Sequence, residues 1–245
     1  MLIVGNDVVD LADGRTVGKA SDVRFLKRIF NEEERAAIAV AASPDLELWL
    51  RWAAKETAYK AVSKLLGTPP TFAHRNFVVS LAPEDEGAGA RRSRSGSVQY
   101  DSTIVHVEAN WDPQTVHTVG WTGDAPLGVG GAGLNPRLER LDEAGAVWSF
   151  RREQLEDRLT TRELEAVHSR ASAAVRIAAR EAIAENLAID EARLQIVCSP
   201  GKPGRRPPFV LLDEEPSAVD VSLSHDGDWI AWAFAVRPSA RSAGS

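Results

Sequence analysis

The sequence predicts an α+β protein made of two related modules, each with helices packed on a small, mostly antiparallel sheet. A stretch with five glycines and two prolines at 123–136 divides the 245 residues into halves of similar size. In each half, helical periodicity is followed by short runs that alternate as strands do, an order typical of α+β folds. We therefore expect one module at residues 1–125 and a second at 126–245.

The composition argues against several classes of protein. Lys and Arg number 29 against 35 Asp and Glu, and the net charge of −6 argues against a dedicated nucleic-acid binder. The single cysteine, Cys198, excludes an internal disulfide and a cysteine-rich zinc site. No window approaches the ~20 apolar residues of a membrane helix, and the start of the chain carries Asp7 and Asp10 without a positive leading segment, unlike a signal peptide. We expect a cytoplasmic protein with no membrane or nucleic-acid partner.

The first module begins with an apolar strand at 2–5. Two helical patterns follow, at about 22–42 and 45–66, and the second repeats its large apolar residues on one side. Strand-like runs come next, near residues 77–81, 103–109 and 116–121. The stretch at 83–97 is rich in Gly, Ser and Arg, and we interpret it as a mobile hairpin loop.

The second module begins with a helical pattern from about 151 to 186, interrupted near 168–169. Strand-like runs then follow, near residues 194–198, 219–224 and 229–236. The stretch before this module contains a formal GxGxxG at 128–133, but a dinucleotide site needs a helix at that loop and Asn135-Pro136 follow at once. We therefore interpret 123–136 as a linker.

The helix predicted at 45–66 carries the first chemical cluster. Trp52, Glu56 and Lys60 fall four residues apart and so share one stripe of the helix. An amphipathic helix with a surface Glu–Lys pair is the more common explanation of such a stripe. Alanines and tryptophans around it predict a largely buried helix, however, and a charged stripe there needs a partner or a metal.

The second cluster is the end of the first strand, where Asp7 and Asp10 lie three positions apart. On its own this is also the pattern of a strand followed by a capped turn.

The third cluster is near the end of the chain, where Ser222 and Ser224 alternate onto one face before His225. A hairpin turn and a structural histidine explain this pattern too, and no GxSxG surrounds the serine to make it a hydrolase nucleophile.

The fourth element is the turn Gly201-Lys202-Pro203, where a solvated loop lysine is the simplest interpretation.

Together the four elements resemble the 4′-phosphopantetheinyl transferase superfamily. Gly5-Asn-Asp-Val-Val-Asp10 is similar to that family's G-x-D motif, and Trp52-x-x-Lys55-Glu56-x-x-x-Lys60 to its W-x-x-K-E-x-x-x-K helix. The G-K-P turn and Ser222-Leu-Ser-His225 resemble two further motifs of the family.

The order of these motifs resembles that of holo-acyl carrier protein synthase, which is about half this length and assembles as an oligomer. In surfactin-type enzymes, which are pseudo-dimers, the half with the G-K-P turn comes first. The resemblance therefore implies a monomeric pseudo-dimer with its halves in swapped order and a single active site between them.

The resemblance also implies an activity. The family transfers 4′-phosphopantetheine from coenzyme A to a serine hydroxyl of an acyl or peptidyl carrier protein, with Mg²⁺, and releases 3′,5′-ADP. Asp7 and Glu56 match the family's metal ligands. Glu56 is also a suitable base for the serine, and Lys60 can meet charge on the phosphates.

For the second half, the resemblance implies that Lys202, Ser224 and His225 contact the phosphates of coenzyme A. Arg176 is our candidate for additional phosphate recognition, although it does not register cleanly with the family's arginine and Arg170 is nearly as suitable.

Two features depart from the surfactin-type pattern or complicate docking. Val9 stands where those enzymes often have a second acid, so the resemblance implies a metal with two protein carboxylates and water in the remaining position; Asp10 follows the synthase pattern instead. The chain is acidic like its expected partner, and basic docking candidates are Arg24, Lys27 and Arg28.

The alternative function is a catalytically inactive protein of the same fold that binds coenzyme A or a carrier protein.

Overall fold

The computed structural model of the chain describes residues 2–70, 74–84, 92–123, 133–141, 151–198 and 206–236. The predicted coenzyme-binding residue Lys202 and its turn lie outside these residues. The helices are α1 (Val23–Ile29), α2 (Glu32–Val40), α3 (Pro44–Leu65), α4 (Arg152–Glu156), α5 (Thr161–Leu164) and α6 (Arg170–Leu187). Single 3₁₀ turns lie at Lys19–Ser21, His74–Asn76 and Glu191–Arg193.

The strands of the first half are β1 (Ile3–Asp10), β2 (Val78–Leu81), β3 (Arg92–Tyr100), β4 (Thr103–Trp111) and β5 (Thr115–Thr122). Those of the second half are β6 (Leu134–Arg140), β7 (Leu194–Cys198), β8 (Pro208–Leu212), β9 (Glu215–Pro216), β10 (Val219–Asp226) and β11 (Trp229–Val236). Within the described residues they form three antiparallel sheets, ordered β1-β5-β4-β3-β2, β10-β11-β6 and β7-β8-β9. The predicted α+β class is confirmed.

Helix α3 packs closely on the first sheet because both surfaces carry small residues. Ala54, Ala58 and Ala61 are fully buried on the helix. On β1, a Cβ added to Gly5 would lie 2.1 Å from the carbonyl oxygen of Thr57, so any larger residue would push the strand away from the helix. Gly5 therefore allows β1 to lie this close to α3.

Helix α6 covers the second half in a similar way. Its buried alanines and Ile177 pack against Trp232 and Phe234 of β11 and against Val221 of β10. Among the described residues, no helix is long and apolar enough to cross a membrane.

The two halves meet along β1. A small apolar cluster joins Val4 and Val119 of the first sheet to Leu134, Ala233 and Ala235 of the second. Beside it, the amides on the outer edge of β1 are bound by side chains of β10. The four pairs are Val4 to Asp220, Asn6 to Ser222, Val8 to Ser224 and Asp10 to Asp226, at 2.7, 3.0, 3.3 and 2.9 Å.

We call these four contacts the β1–β10 ladder. Each partner lies 216 residues further along the chain, so the two strands run in the same direction. An edge strand normally presents unpaired amides to solvent. Here alternate side chains of β10 take the place of a neighbouring strand's carbonyl groups and fix the register between the halves.

Several predicted boundaries in the first half were wrong. The helix expected at 22–42 is two helices, because Phe30 is extended and Asn31 begins α2 with a capping box to Glu34. Residues 92–97 of the expected loop at 83–97 belong to β3, where backbone pairing with β2 and β4 holds a polar sequence in a sheet. The first strand runs on to Asp10 instead of ending at Gly5.

Boundaries in the second half also changed. The helical stretch is interrupted at 157–160 as well as before Arg170. Leu134 lies inside the expected linker, yet it is buried and begins β6 because it pairs with Ala235. Strands β8 and β9 were missed. The remaining part of the linker, at 124–132, lies outside the described residues.

Candidate active site

A cleft of about 590 Å³ lies between β1, α3 and β10. Its lining includes the predicted site residues Asp7, Glu56, Lys60, Ser224 and His225. Three elements therefore bring together residues from both ends of the sequence. Trp52 lines the same cleft, so the predicted stripe of Trp52, Glu56 and Lys60 on one side of the helix is confirmed.

Asp7 lies at the centre of the contacts in this cleft. Its Oδ1 accepts hydrogen bonds from Lys60 Nζ at 2.8 Å and from the Ser224 hydroxyl at 2.9 Å. Lys60 Nζ also donates to the carbonyl of Asn6 at 2.8 Å, which leaves its third hydrogen for another acceptor. Asp7 is only 8% exposed, and its pKa is raised to about 6, mainly by burial; the nearby charge of Glu56 contributes to this rise, while Lys60 and Ser224 oppose it.

Glu56 is held by a residue that the sequence reasoning missed. Its Oε1 lies 3.2 Å from Nε2 of His74, and the His74 ring stacks on Trp52 with ring centres 4.8 Å apart. His74 lies 18 residues beyond Glu56 in a single 3₁₀ turn. No periodic pattern or motif surrounds it, so the sequence offered no signal for this contact.

The two carboxylates fit the divalent cation that the resemblance implies. Asp7 uses Oδ1 and Glu56 uses Oε1 for hydrogen bonds, and neither second oxygen has a hydrogen-bond partner among the described residues. The mutual repulsion that contributes to the raised Asp7 pKa is what a bound cation would relieve. Mg²⁺ commonly takes one or two protein carboxylates, with water and phosphate oxygens completing its shell.

A larger set of protein ligands is not present in the described ranges, where no three His, Cys, Asp or Glu side chains are grouped for a metal. Asp10 is used in the turn instead. Its carboxylate accepts the amides of Ala12 at 2.9 Å and Asp228 at 3.3 Å. A Cβ on Gly227 would lie 1.9 Å from Asp10 Oδ2, so this glycine allows the turn to close over the acid.

His225 brings a half-buried imidazole from the second half to the cleft. Its pKa is lowered from 6.5 to about 4, mainly by partial burial and also by the neighbouring His168, Lys60 and Arg176. The His168 and His225 rings are 5.6 Å apart. Positive and titratable groups thus cluster at this end of the cleft.

Arg176 is buried beside that cluster without a carboxylate partner among the described residues. Its guanidinium donates to the carbonyl and hydroxyl of Ser172 at 2.9 and 3.0 Å and contacts Cys198 Sγ at 3.7 Å. Its Nε has no partner in the described structure. The alternative candidate, Arg170, donates to the carbonyl of Leu141 at 2.8 Å.

A second cavity of about 310 Å³ adjoins the cleft and shares Glu56, Lys60 and Leu223 with it. Lys64 and Arg206 also line this cavity. The space around Lys60 therefore continues past α3 toward the residues that follow the G-K-P turn.

Lys55, the first lysine of the helix motif, lies outside the cleft and is fully buried. Its Nζ donates to Glu34 at 2.8 Å, to the carbonyl of His74 at 3.1 Å and to the carbonyl of Phe77. Burial lowers the pKa of this lysine, and Glu34 opposes that shift. Lys55 therefore anchors the segment that carries His74.

The fold and the site define a class of protein, an α+β protein with an acid-lined cleft between two halves. Residues 3–116 match the family described as the 4′-phosphopantetheinyl transferase superfamily. The resemblance found in the motifs is thereby confirmed for these residues.

Two solved structures are similar to the chain. The holo-[acyl-carrier-protein] synthase of Neisseria meningitidis has 20% identity and a TM-score of 0.36, and the match covers 49% of this chain and 97% of that one. The holo-[acyl-carrier-protein] synthase of Thermotoga maritima has 17% identity and a TM-score of 0.35, with 67% and 80% covered. The comparison with curated proteins gave no match.

Proposed function

We propose that this protein transfers 4′-phosphopantetheine from coenzyme A to a serine hydroxyl of an apo acyl or peptidyl carrier protein. The observation that supports the proposal most strongly is the meeting of Asp7, Glu56 and Lys60 with Ser224 and His225 in one cleft. The superfamily match covers the first three of these residues. An inactive binding protein would have no need to keep two carboxylates oriented and close together.

Glu56 acts as the base in this proposal. Its Oε2 takes the proton of the carrier serine, directly or through one water, while Oε1 stays on His74. The serine oxygen then forms a bond to the phosphorus that carries pantetheine. The bond from that phosphorus to the bridging oxygen breaks, and 3′,5′-ADP leaves with the electron pair.

Lys60 stabilises the charge that develops on the phosphates. Two of its hydrogens are used by Asp7 and Asn6, and the third is available to a phosphate oxygen. Asp7 and Glu56 would hold Mg²⁺ through one lone pair of their second oxygens, which would leave the other lone pair of Glu56 Oε2 for the serine proton. A bound Mg²⁺ would neutralise part of the pyrophosphate charge.

The second half binds the anionic end of coenzyme A in this proposal. Arg176 is buried without a carboxylate partner among the described residues and lies close enough to His225 to lower its pKa, and such an arginine favours a phosphate. Lys202 is proposed to join them from the G-K-P turn. Arg24, Lys27 and Arg28 are exposed on α1 and are proposed to dock the acidic carrier protein.

The test is intact-protein mass spectrometry of apo carrier proteins incubated with this protein, coenzyme A and Mg²⁺. We expect a gain of one phosphopantetheine on a fatty-acid, polyketide or peptidyl carrier, and we expect a chelator to abolish it. No gain on any of the three carriers would contradict the proposal and favour a protein that only binds coenzyme A.

A further inference from the structure

His74 fixes one oxygen of Glu56 from outside the predicted motifs. The pair is 3.2 Å apart, and both side chains are largely shielded, with 14% of His74 and 20% of Glu56 exposed. An ionised carboxylate only accepts hydrogen bonds, so Nε2 of His74 is the donor when Glu56 is charged. One carboxylate oxygen is thereby committed to the imidazole.

His74 is itself held in place, both at its ring and at its backbone. Its ring stacks on Trp52 at an interplanar angle of 25°. Its backbone carbonyl accepts a hydrogen bond from Lys55, whose ammonium group is fixed by the buried Glu34. Trp52, Lys55 and Glu56 are all residues of α3, so one helix holds both the histidine and the carboxylate that the histidine contacts.

We propose that His74 is a positioning residue for Glu56, holding Oε1 so that Oε2 is presented to the cleft. The inference rests on the proposed function, because it gives Glu56 the roles of base and cation ligand. Groups that hydrogen-bond to a ligand or base from behind orient it, and their loss typically reduces metal affinity or activity about 10–100-fold.

Two substitutions separate the hydrogen bond of His74 from the stacking of its ring. His74→Phe keeps a ring on Trp52 but removes the donor. His74→Gln removes the ring but places an amide donor near the position of Nε2. We expect His74→Phe to lower kcat about 10–100-fold with the KM for coenzyme A within about twofold of wild type, and His74→Gln to stay within about threefold in both.

The second readout does not depend on transfer. Binding of Mn²⁺ alone to the full chain is measured by calorimetry or electron paramagnetic resonance, without coenzyme A or carrier protein. We expect Glu56→Gln to remove a Mn²⁺ site, His74→Phe to weaken it about tenfold or more, and His74→Gln to retain it. Thermal unfolding of each variant in a chelator shows whether the fold is intact.

His106 provides a matched control, because it also stacks on a tryptophan. Its ring lies 6.0 Å from that of Trp121 at 27°, it is exposed on β4, and it does not line the cleft. His106→Phe should leave kcat, KM and Mn²⁺ binding at wild-type values.

Each outcome decides between the proposals. If His74→Phe has wild-type kcat and Mn²⁺ binding, the positioning role is overturned. If His74→Gln loses kcat and Mn²⁺ binding at the same time, ring packing is the role that remains. A Mn²⁺ site that does not depend on Glu56 would overturn it as well. If no carrier protein is modified but Mn²⁺ binding follows the expected order, the positioning role stands and only the proposed transfer fails.

Discussion

Ser224 donates its hydroxyl hydrogen to Asp7 Oδ1 at 2.9 Å, across 217 positions of the sequence. The Ser224 hydroxyl oxygen also accepts a hydrogen bond from the amide of Val8 at 3.3 Å, so one serine aligns both the strand and its acid. The sequence predicted Ser224 as a contact for coenzyme A phosphates, and that role stays a prediction. The hydrogen bond to Asp7 gives this serine a second role that holds without any ligand.

Replacing Ser224 with Ala should therefore lower the activity by more than its loss of stability explains. The variant removes the hydrogen bond to Asp7 and leaves the Val8 amide without its acceptor, which costs about 1–3 kcal/mol. Ser222→Ala is the matched control, because Ser222 accepts the Asn6 amide at 3.0 Å without contacting Asp7. Urea unfolding should show similar losses for both, while only Ser224→Ala lowers kcat/KM tenfold or more. Equal kinetic effects would argue against the role of Ser224 on Asp7.

Glu56→Gln should abolish most of the transfer while the protein stays folded. A general base contributes about 10²–10⁴-fold, and an amide cannot take the serine proton. Single-turnover mass spectrometry measures the rate, and calorimetry should show coenzyme A binding within about threefold of wild type. Glu108→Gln on β4 is the control, since the Glu108 carboxylate lies outside the cleft and accepts a hydrogen bond only from the nearby Asn110 among the described residues. A fully active Glu56→Gln variant would contradict the assignment of the base.

Lys55→Met should destabilise the fold strongly although Lys55 lies outside the cleft. The substitution leaves the Glu34 carboxylate charged and buried, and breaking a buried pair in this way costs about 3–5 kcal/mol. Adding Glu34→Gln should recover part of the loss, because the uncompensated charge is then gone. Lys27→Met, at an exposed site, should change the free energy of unfolding by less than about 0.5 kcal/mol. Urea denaturation measures all three.

Gly5→Ala should both destabilise the protein and lower its activity. The added methyl group would meet the Thr57 carbonyl at 2.1 Å, and forcing β1 away from α3 costs about 1–3 kcal/mol. The same shift would move Asp7 away from Lys60. Gly14→Ala is the control, because a Cβ there meets nothing within 4 Å. A fully active, stable Gly5→Ala variant would show that the close approach is not needed.

His225 should make the free protein lose stability in mild acid. Its folded pKa of about 4 lies below its ordinary value of 6.5 because burial, together with the neighbouring His168, Lys60 and Arg176, disfavours the charged ring. The unfolded chain therefore takes up a proton at this residue first, and stability falls as the pH decreases from 6.5 toward 4. His225→Asn should lose less stability than wild type between pH 7 and pH 5 in phosphate-free buffer. An equal loss would contradict the lowered pKa.

The sequence predicted the regular parts of the fold well. Strand β11 was placed at its observed bounds because a continuous apolar run of eight residues, directly after the Asp-Gly turn, is typical of a buried strand. The spacing of the helix motif also predicted which of its lysines faces the acids. Lys60 lies four residues after Glu56 and shares its stripe, whereas Lys55 directly precedes Glu56 and lies on another face.

The missed features depend on long-range contacts or on polar strands. His74 reaches Glu56 from an irregular turn, and no local pattern reports such a contact. Residues 92–97 read as a loop because they are polar, yet strand pairing on both sides holds them in β3. The β1–β10 ladder joins residues 216 positions apart, and no local periodicity encodes it. By contrast, the Asn31 capping box was visible in the sequence and was overlooked.

The β1–β10 ladder also determines when the cleft can form as the chain folds. Contacts between residues far apart in sequence form slowly, because the entropy of closing the intervening chain is lost before the contact is gained. Until β10 has paired with β1 in the correct register, the outer amides of β1 remain hydrated and Asp7 has no hydrogen bond from Ser224. During synthesis the first half therefore has its helix and both acids early, but the site is completed only after the second half has folded against it.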